Sequence, residues 1–158
     1  MEKGDRVSRW LFKSEPDTWG WADQVARGDA GEEWHGVRNY QARNMMRDQM
    51  KRGDLAFFYH SNCAEPGIVG IVEIVREAYP DATAGNPTSE YFDPKHSADN
   101  PRWYVVEVRL TRRLTRTITL AEMKDDPALA EMPLVRRGNR LSVMPVSAAA
   151  WRHILSQE

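Results

Sequence analysis

The sequence predicts an α+β fold, a small and partly open β-barrel of about five to six strands with short helices on its flanks. Short runs rich in β-branched and aromatic residues recur along the 158 residues. Helix-capping residues stand between several of these runs. Apolar residues make up 41% of the chain, without a stretch long enough to span a membrane. We therefore expect a single domain over residues 1–158, with residues 1–8 as a loose N-terminal segment.

The first third of the chain carries one strand signal and one helix signal. Residues 10–13 predict a short strand, which the following Ser-Glu-Pro sequence ends. Residues 17–27 predict a helix that stops at Gly28. Trp21 and Val25 are four residues apart, so both are expected on its inner face.

The middle of the chain predicts a capped helix followed by a hairpin. Asn39 is a good N-cap for a helix over residues 40–50. Residues 55–60 form a strongly aromatic strand, and residues 68–75 form a second strand that pairs with it. Gly70 lies inside this second strand, where a glycine marks a bend or a close approach of the backbone.

The last part of the chain combines a long loop with further strands and helices. Residues 79–102 contain four prolines and few aliphatic residues, which predicts a long loop that is functional or mobile. Thr119 and Glu122 form a capping-box pattern. The remaining predicted elements are a strand over residues 103–114, a short helix beginning at Thr119, a strand over 142–146 and a helix from Ser147 to about residue 156.

The charge pattern leaves two interpretations open. The net charge is −1, which excludes a polycation that coats nucleic acid indiscriminately. Arginines nevertheless concentrate in residues 109–116 and 136–140. These runs form either a local basic face suited to selective nucleic-acid binding or a solvated strand edge that arginine protects.

Metal, redox and nucleophile chemistry find little support in the sequence. The lone Cys63 excludes an internal disulfide and a cysteine-built zinc site, and it fits a reducing, cytoplasmic location. The four histidines lie far apart, and neither a nucleophile elbow nor a phosphate-binding glycine loop occurs. We therefore predict no catalytic residue, no metal and no cofactor.

The segment 34–44, WHGVRNYQARN, is unusually polar for a core. It predicts a pocket for a flat, polar ring such as a nucleobase, beside a surface for a phosphate backbone. Trp34 and Trp103 flank loops, where they either line that pocket or belong to the core. Asn39 either reads the edge of the base or only caps its helix, and the two roles are compatible.

Four longer motifs stand out along the chain. They are residues 10–16 (WLFKSEP), 34–44, 53–62 (GDLAFFYHSN) and 67–73 (GIVGIVE), and shorter ones follow at 91–95, 101–104 and 140–143. Together these motifs resemble those of the EVE domain family. The resemblance covers nearly the whole chain from about residue 10 to 155. It implies a PUA-like fold related to the YTH readers of N6-methyladenine. It also implies a non-enzymatic nucleic-acid-binding module that extrudes a modified base of DNA or RNA into an aromatic pocket.

The resemblance and the polar segment together predict the site residues. Nucleic acid is the expected partner, and the chain is expected to be a monomer that does not contact membranes. The predicted ligand-binding residues are Lys13, Ser14, Trp34, Val37, Asn39, Phe58, Tyr59, His60, Ser61 and Trp103, and the predicted contacts to the nucleic-acid backbone are Arg38, Arg43, Arg102 and Arg140.

Two other classes of function remain open at the level of sequence. The first is an enzyme acting on a nucleotide or a nucleic acid, with Glu15, Asp93 or His60 as acid or base. The second is a module that binds a free nucleoside or another small molecule. Equal binding of a nucleoside and an oligonucleotide would favour this second class.

Overall fold

A computed structural model describes residues 7–158 and shows a six-stranded mixed sheet with short helices around it. The expectation of a loose segment over residues 1–8 falls largely outside the described residues. The strands are β1 (Arg9–Ser14), β2 (Glu32–Glu33), β3 (Leu55–His60), β4 (Gly67–Pro80), β5 (Tyr104–Thr119) and β6 (Val143–Pro145). The helices are α1 (Pro16–Trp19), α2 (Trp21–Arg27), α3 (Tyr40–Asp48), α4 (Leu120–Lys124) and α5 (Ala148–Ser156).

The strand order explains why the sheet is only partly closed. The order is β2-β5-β4-β3-β1-β6, and the two edge strands β2 and β6 do not pair with each other. β1 runs parallel to β3, from Arg9 opposite Leu55 to Ser14 opposite His60, whereas the other pairs are antiparallel. The α+β fold class and the partly open barrel are confirmed.

Both faces of the sheet are covered, because its central strands are apolar on both sides. In β1, Trp10 and Phe12 belong to one core and Leu11 to the other. In β3, Phe58 joins the first core and Phe57 the second, where its ring stacks on Trp151 at 3.8 Å. The period-2 alternation of a strand thus divides one aromatic run between two cores.

The predicted helix over residues 17–27 is two helices instead of one. Pro16 starts α1, and Gly20 then takes an extended conformation with φ −99° and ψ 178°. The new helix, α2, buries Trp21 and Gln24, three residues apart. The placement of Val25 on the inner face is wrong, because 48% of this residue is exposed.

Gly70 is the point of close approach that the sequence predicts. A Cβ atom at this position would overlap the ring of Trp21, which also packs edge-on against Phe58 at 5.3 Å. The pairing register of β4 shifts between Ile68 and Gly70 on one side, and that of β3 shifts between Phe58 and Tyr59. These bulges bend the strands around the indole.

The long loop begins two residues later than the sequence predicts and contains a short helix. β4 continues to Pro80, because Tyr79 pairs with Val105 and Pro80 with Tyr104. The loop over residues 81–103 then begins with a 3₁₀ helix at Ala82–Gly85. Within residues 7–158, no helix combines the length and the apolar character needed to cross a membrane.

Candidate functional site

The parallel pairing of β1 with β3 brings two sets of predicted residues to one edge of the sheet. Lys13 and Ser14 end β1, and His60 ends β3 opposite Ser14. The backbone N–H of Ser61 donates to the carbonyl of Ser14 at 3.0 Å, which continues the pairing by one residue. Since parallel strands end at the same edge, this juxtaposition follows from the topology.

A cavity of about 340 Å³ opens at this edge. A cavity of this size lies within the range that accommodates a small planar ligand. Its lining combines aromatic rings, carboxylates and one lysine. The lining residues are Lys13, Ser14, Glu15, Thr18, Trp19, Glu32, Glu33, Trp34, His35, Gly36, Glu90 and Tyr91.

Trp34 is the most firmly held wall of the cavity. Its ring packs against Phe12 at 5.1 Å and edge-on against Phe58 at 5.5 Å between centroids. Its backbone N–H donates to the carbonyl of Val106 at 2.8 Å, just beyond the short β2 strand. Only 7% of the residue is exposed, so Trp34 belongs to the core and to the cavity wall at once.

Tyr91 approaches the cavity from the long loop, and Gly36 makes room for it. Gly36 has φ +86°, and a Cβ atom there would lie 2.9 Å from Cε1 of the Tyr91 ring. Glycine is therefore required both for the backbone conformation and for the space. The rings of His35 and Tyr91 lie 5.0 Å apart, and Arg38 donates to the carbonyl of Tyr91 at 2.8 Å.

Trp19 completes the aromatic lining at the end of α1. The hydroxyl of Ser14 donates to the carbonyl of Trp19 at 2.5 Å, which fixes α1 against the end of β1. The indole N–H of Trp19 donates to Gln24 Oε1 at 3.0 Å. Trp19 is half-buried, and its ring forms part of the lining.

Sequence reasoning misses Trp19, His35 and Tyr91 as lining residues. For Tyr91 a signal existed, because the 91–95 motif belongs to the family resemblance. His35 lies inside the polar segment 34–44 but has no partner at ligand spacing. The three residues come from α1, the segment after β2 and the long loop, and only the fold brings them together.

The electrostatic balance of the cavity is acidic. Four carboxylates line it, and Lys13 is the one lysine among the twelve lining residues. Burial lowers the pKa of the Lys13 ammonium. Glu32 pairs with Arg27 at 3.0 Å, and Glu33 accepts from the hydroxyl of Tyr79 at 2.7 Å. Burial, followed by the hydrogen bonds to Glu107 and Glu33, raises the pKa of Tyr79.

The lining is chemically suited to a flat ligand that donates hydrogen bonds. Carboxylate oxygens accept from amino groups such as N4 of cytosine or N6 of adenine. Nδ1 of His35 is buried and has no hydrogen-bond partner within residues 7–158. A buried polar atom of this kind is costly unless a ligand or water satisfies it.

Among the predicted ligand-binding residues, Lys13, Ser14 and Trp34 lie in the lining, and two others lie next to it. His60 Nε2 accepts from the backbone N–H of Trp21 at 3.0 Å, so this ring fixes the start of α2. Burial, followed by the nearby charge of Arg113, lowers the pKa of His60. Ser61 follows it at the strand end, outside the lining.

Five further predicted residues lie away from the cavity. Val37 and Phe58 are buried in the first core and Tyr59 in the second, because the alternation along β3 turns Tyr59 to the opposite face. Asn39 caps α3 by accepting from the N–H of Ala42 at 2.9 Å. Trp103, the expected second wall, instead stacks on Tyr40 at 5.0 Å and donates to Asp93 at 2.7 Å.

The arginines predicted to contact a backbone fall into two groups. Arg38, Arg43 and Arg102 lie close together around the Tyr40–Trp103 stack. Arg140 is exposed on the loop before β6, two residues before Ser142, whose carbonyl accepts from the N–H of Lys13 at 2.8 Å.

The arginine run on β5 is not a free basic face. Arg109 pairs with Glu73 at 3.0 Å, Arg112 with Glu158 at 2.6 Å and Arg116 with Glu122 at 2.8 Å. The acidic partners come from other parts of the chain, so charge counting along the sequence does not reveal them. Of the two interpretations of this run, the solvated strand fits the structure.

Comparison with solved structures places this arrangement among known folds. A crystal structure of human THYN1 protein in complex with DNA containing 5-methylcytosine superposes with a TM-score of 0.88, at 42% identity, covering 96% of this chain and 97% of that chain. The YTH domain of Zygosaccharomyces rouxii MRB1 protein, in complex with N6-methyladenosine RNA, shares the fold with a TM-score of 0.56 at 14% identity, covering 97% and 87% of the two chains. The predicted PUA-like fold is confirmed.

Sequence comparison points to one family. Thymocyte nuclear protein 1 of Danio rerio is 45% identical in an alignment of 168 residues including gaps, which covers 96% of this chain and 72% of that protein. Its name includes the word nuclear, so the cytoplasmic location expected for this chain stays a prediction. The model of the EVE domain matches residues 8–157. The chain therefore belongs to the EVE domain family.

Proposed function

We propose that this protein is a non-enzymatic reader that binds a modified base of a nucleic acid in the acidic, aromatic cavity. The base leaves its stack and enters between Trp34, Trp19 and Tyr91, while Lys13 and Ser14 contact its edge or its sugar. Extrusion costs a few kcal/mol, least in single strands, and the stacking contacts offset this cost.

The observation that carries this proposal is the lining itself. Trp34 is held by the core, and Tyr91 is admitted only because Gly36 lacks a Cβ atom. Preorganised aromatic walls with hydrogen-bond acceptors at their rim suit a flat ring that carries an amino group. Support comes from the human relative that was crystallised with DNA containing 5-methylcytosine, a base that carries an amino group.

Two of the three residues that would serve an enzyme, His60 and Asp93, have structural partners. His60 Nε2 is occupied by the N–H of Trp21, and Asp93 binds the indole of Trp103 and the side chain of Arg102. Glu15 is exposed at the cavity rim. These contacts favour recognition over turnover, and we infer that a bound oligonucleotide is released unchanged.

Titration with single-stranded oligonucleotides tests the proposal. Strands that differ only in one central base, cytosine, 5-methylcytosine, adenine or N6-methyladenine, are followed by tryptophan fluorescence. We expect tighter binding to a methylated strand than to its unmodified match. Tyr91→Leu, which removes the ring but keeps an apolar side chain, should weaken binding by about 1–3 kcal/mol, whereas Tyr91→Phe should not.

Two outcomes would overturn the proposal. One is equal affinity for all four strands combined with wild-type affinity of Tyr91→Leu. The other is a change in the mass of the oligonucleotide after long incubation, which would indicate an enzyme.

A further inference from the structure

A second concave surface lies beside the cavity, between the start of α3 and the end of the long loop. We call it the basic groove, and its volume is about 240 Å³. It differs from the cavity in charge, because three of its six lining residues are cationic and none is acidic. The lining residues are Tyr40, Arg43, Lys95, Asn100, Pro101 and Arg102.

Of the three cations of the groove, only Arg102 has a carboxylate partner within residues 7–158. Arg43 donates to the carbonyl of Arg102 at 3.0 Å and to Asn44 Oδ1 at 2.8 Å, and both acceptors are uncharged. Lys95 is exposed, and within residues 7–158 it forms no salt bridge. Asp93 pairs with Arg102 at 3.3 Å, so one carboxylate faces three cations.

The loop that carries these cations is fixed from inside. Nδ1 of the buried His96 accepts from the backbone N–H groups of Arg102 and Trp103, at 2.9 and 3.1 Å. Asp93 accepts from the Trp103 indole at 2.7 Å and from the N–H of Lys95 at 2.9 Å. The positive charges of the groove are therefore preorganised and not gathered by a ligand.

The groove also presents an aromatic ring. Tyr40 is 50% exposed, although it is a large ring and begins a helix. It stacks on Trp103 at 5.0 Å with 14° between the planes, and the guanidinium of Arg43 lies 4.7 Å from its centroid. An exposed aromatic among arginines is the combination that proteins use to bind single-stranded nucleic acid.

Arg38 joins the groove to the cavity. Its guanidinium carbon lies 5.6 Å from the ring centroid of Tyr91, which lines the cavity, and 5.4 Å from that of Trp103, which supports Tyr40. The two sites are thus linked by a row of ring contacts, each shorter than 6 Å.

We propose that the basic groove binds a nucleotide that flanks the extruded base on the same strand. Arg43, Lys95 and Arg102 receive the phosphates on its two sides, and the Tyr40 ring contacts its base. This inference rests on the proposed function of the cavity. The two sites then bind different parts of the strand because of their charges. The acidic cavity binds the uncharged base, and the groove binds the anionic backbone that the cavity repels.

The salt dependence of binding tests the phosphate contacts. We compare Lys95→Gln and the double variant Arg43→Gln/Lys95→Gln with a matched control, Arg109→Gln/Arg112→Gln, which removes the same number of charges from β5. The affinity falls with salt, and each lost phosphate contact on a single strand reduces the steepness of log affinity against log salt by about 0.7. We expect a decrease of about 0.7 for the single variant, about 1.4 for the double variant, and no change for the control.

Binding of the free nucleoside 5-methyldeoxycytidine separates the inference from the function on which it rests. The groove variants should bind it like the wild type, because a nucleoside carries no phosphate. A wild-type salt slope in both groove variants, or an equal decrease in the β5 control, would overturn the inference while leaving the cavity intact. If the wild type instead shows no preference for methylated bases, the proposed function fails first.

Tyr40 is tested separately. Tyr40→Ala should weaken binding of the oligonucleotide roughly fivefold or more, as expected for loss of one stacked base, and Tyr40→Phe should bind normally. The loss should disappear when the nucleotides next to the modified base are abasic, because no flanking base is then left to stack. An equal loss on the abasic strand would show that Tyr40 supports the fold and not a ligand. The melting temperature of each variant provides the folding control.

Discussion

Asp81 shows at the scale of one residue how the loop beside the cavity is held. Its carboxylate is fully buried and accepts from Arg38 at 3.2 Å, from the Thr83 hydroxyl at 2.6 Å and from the N–H of Thr83 at 2.9 Å. Burial opposes ionisation, but the hydrogen bond from Thr83 and the charge of Arg38 hold the pKa of Asp81 below its usual range. A buried pair of this kind is costly to break on one side.

Asp81→Asn should therefore lower the unfolding free energy at pH 7 by about 2–4 kcal/mol. A carboxylate whose pKa is depressed by folding stabilises the protein above its unfolded pKa, and this contribution is lost as the pH falls. The difference in unfolding free energy between wild type and variant should therefore become smaller below about pH 4. Urea unfolding at several pH values measures this difference. The exposed Asp99→Asn is the control, and a gap that widens in acid would contradict the assignment.

At the scale of elements, α2 packs closely on the sheet because Gly70 has no side chain. Trp21 lies directly over Gly70, and His60 accepts from the N–H at the start of the same helix. Because α2 has only seven residues, its position depends on these tertiary contacts and not on helix propensity.

Gly70→Ala should destabilise the protein by about 1–3 kcal/mol, since an added methyl group forces a rigid indole to move. Thermal unfolding measures the loss. Gly85→Ala is the matched control, because the nearest atom to a Cβ there is 3.7 Å away and the change should be nearly neutral. Equal stability of the two variants would mean that Trp21 can shift freely.

At the scale of the whole molecule, the arginines of β5 and the cations of the basic groove differ in how many carboxylates they pair with. Three of the four arginines on β5 pair with glutamates, namely Glu73, Glu122 and Glu158. In the basic groove only Arg102 pairs with a carboxylate within residues 7–158. Hydrogen bonds from Arg116 and Arg112 lower the pKa of Glu122 and of Glu158 to about 2 each.

These two glutamates should contribute to stability in mild acid. Their stabilisation is present above the ordinary pKa of 4.5 and is lost as the pH falls towards 2. The double variant Glu122→Gln/Glu158→Gln should therefore lose less stability than the wild type between pH 5 and about pH 2, as followed by thermal melting. If the variant lost as much stability as the wild type over this pH range, the two ion pairs would be too solvated to stabilise the protein.

The sequence predicts local structure well where a capping side chain or a strand pattern decides it. Asn39 and Ser147 cap the helices expected of them, and β3 spans the predicted residues. The fine composition of the cavity is not predictable in this way. The sequence favours Trp103 as a wall of the pocket, but the path of the chain places Trp103 under Tyr40 and puts Trp19 in the lining.

The parallel pairing of β1 with β3 also bears on how ligand preference evolves. Parallel neighbours need a crossover connection, and here the crossover over residues 15–54 carries Trp19, Trp34 and His35. The walls of the cavity therefore belong mostly to this connection and to the loop over 81–103, while the sheet supplies the end of β1 and the two-residue β2. Under the proposed function, substitutions in these two segments outside β2 should change which base is accepted without disturbing the pairing of the sheet.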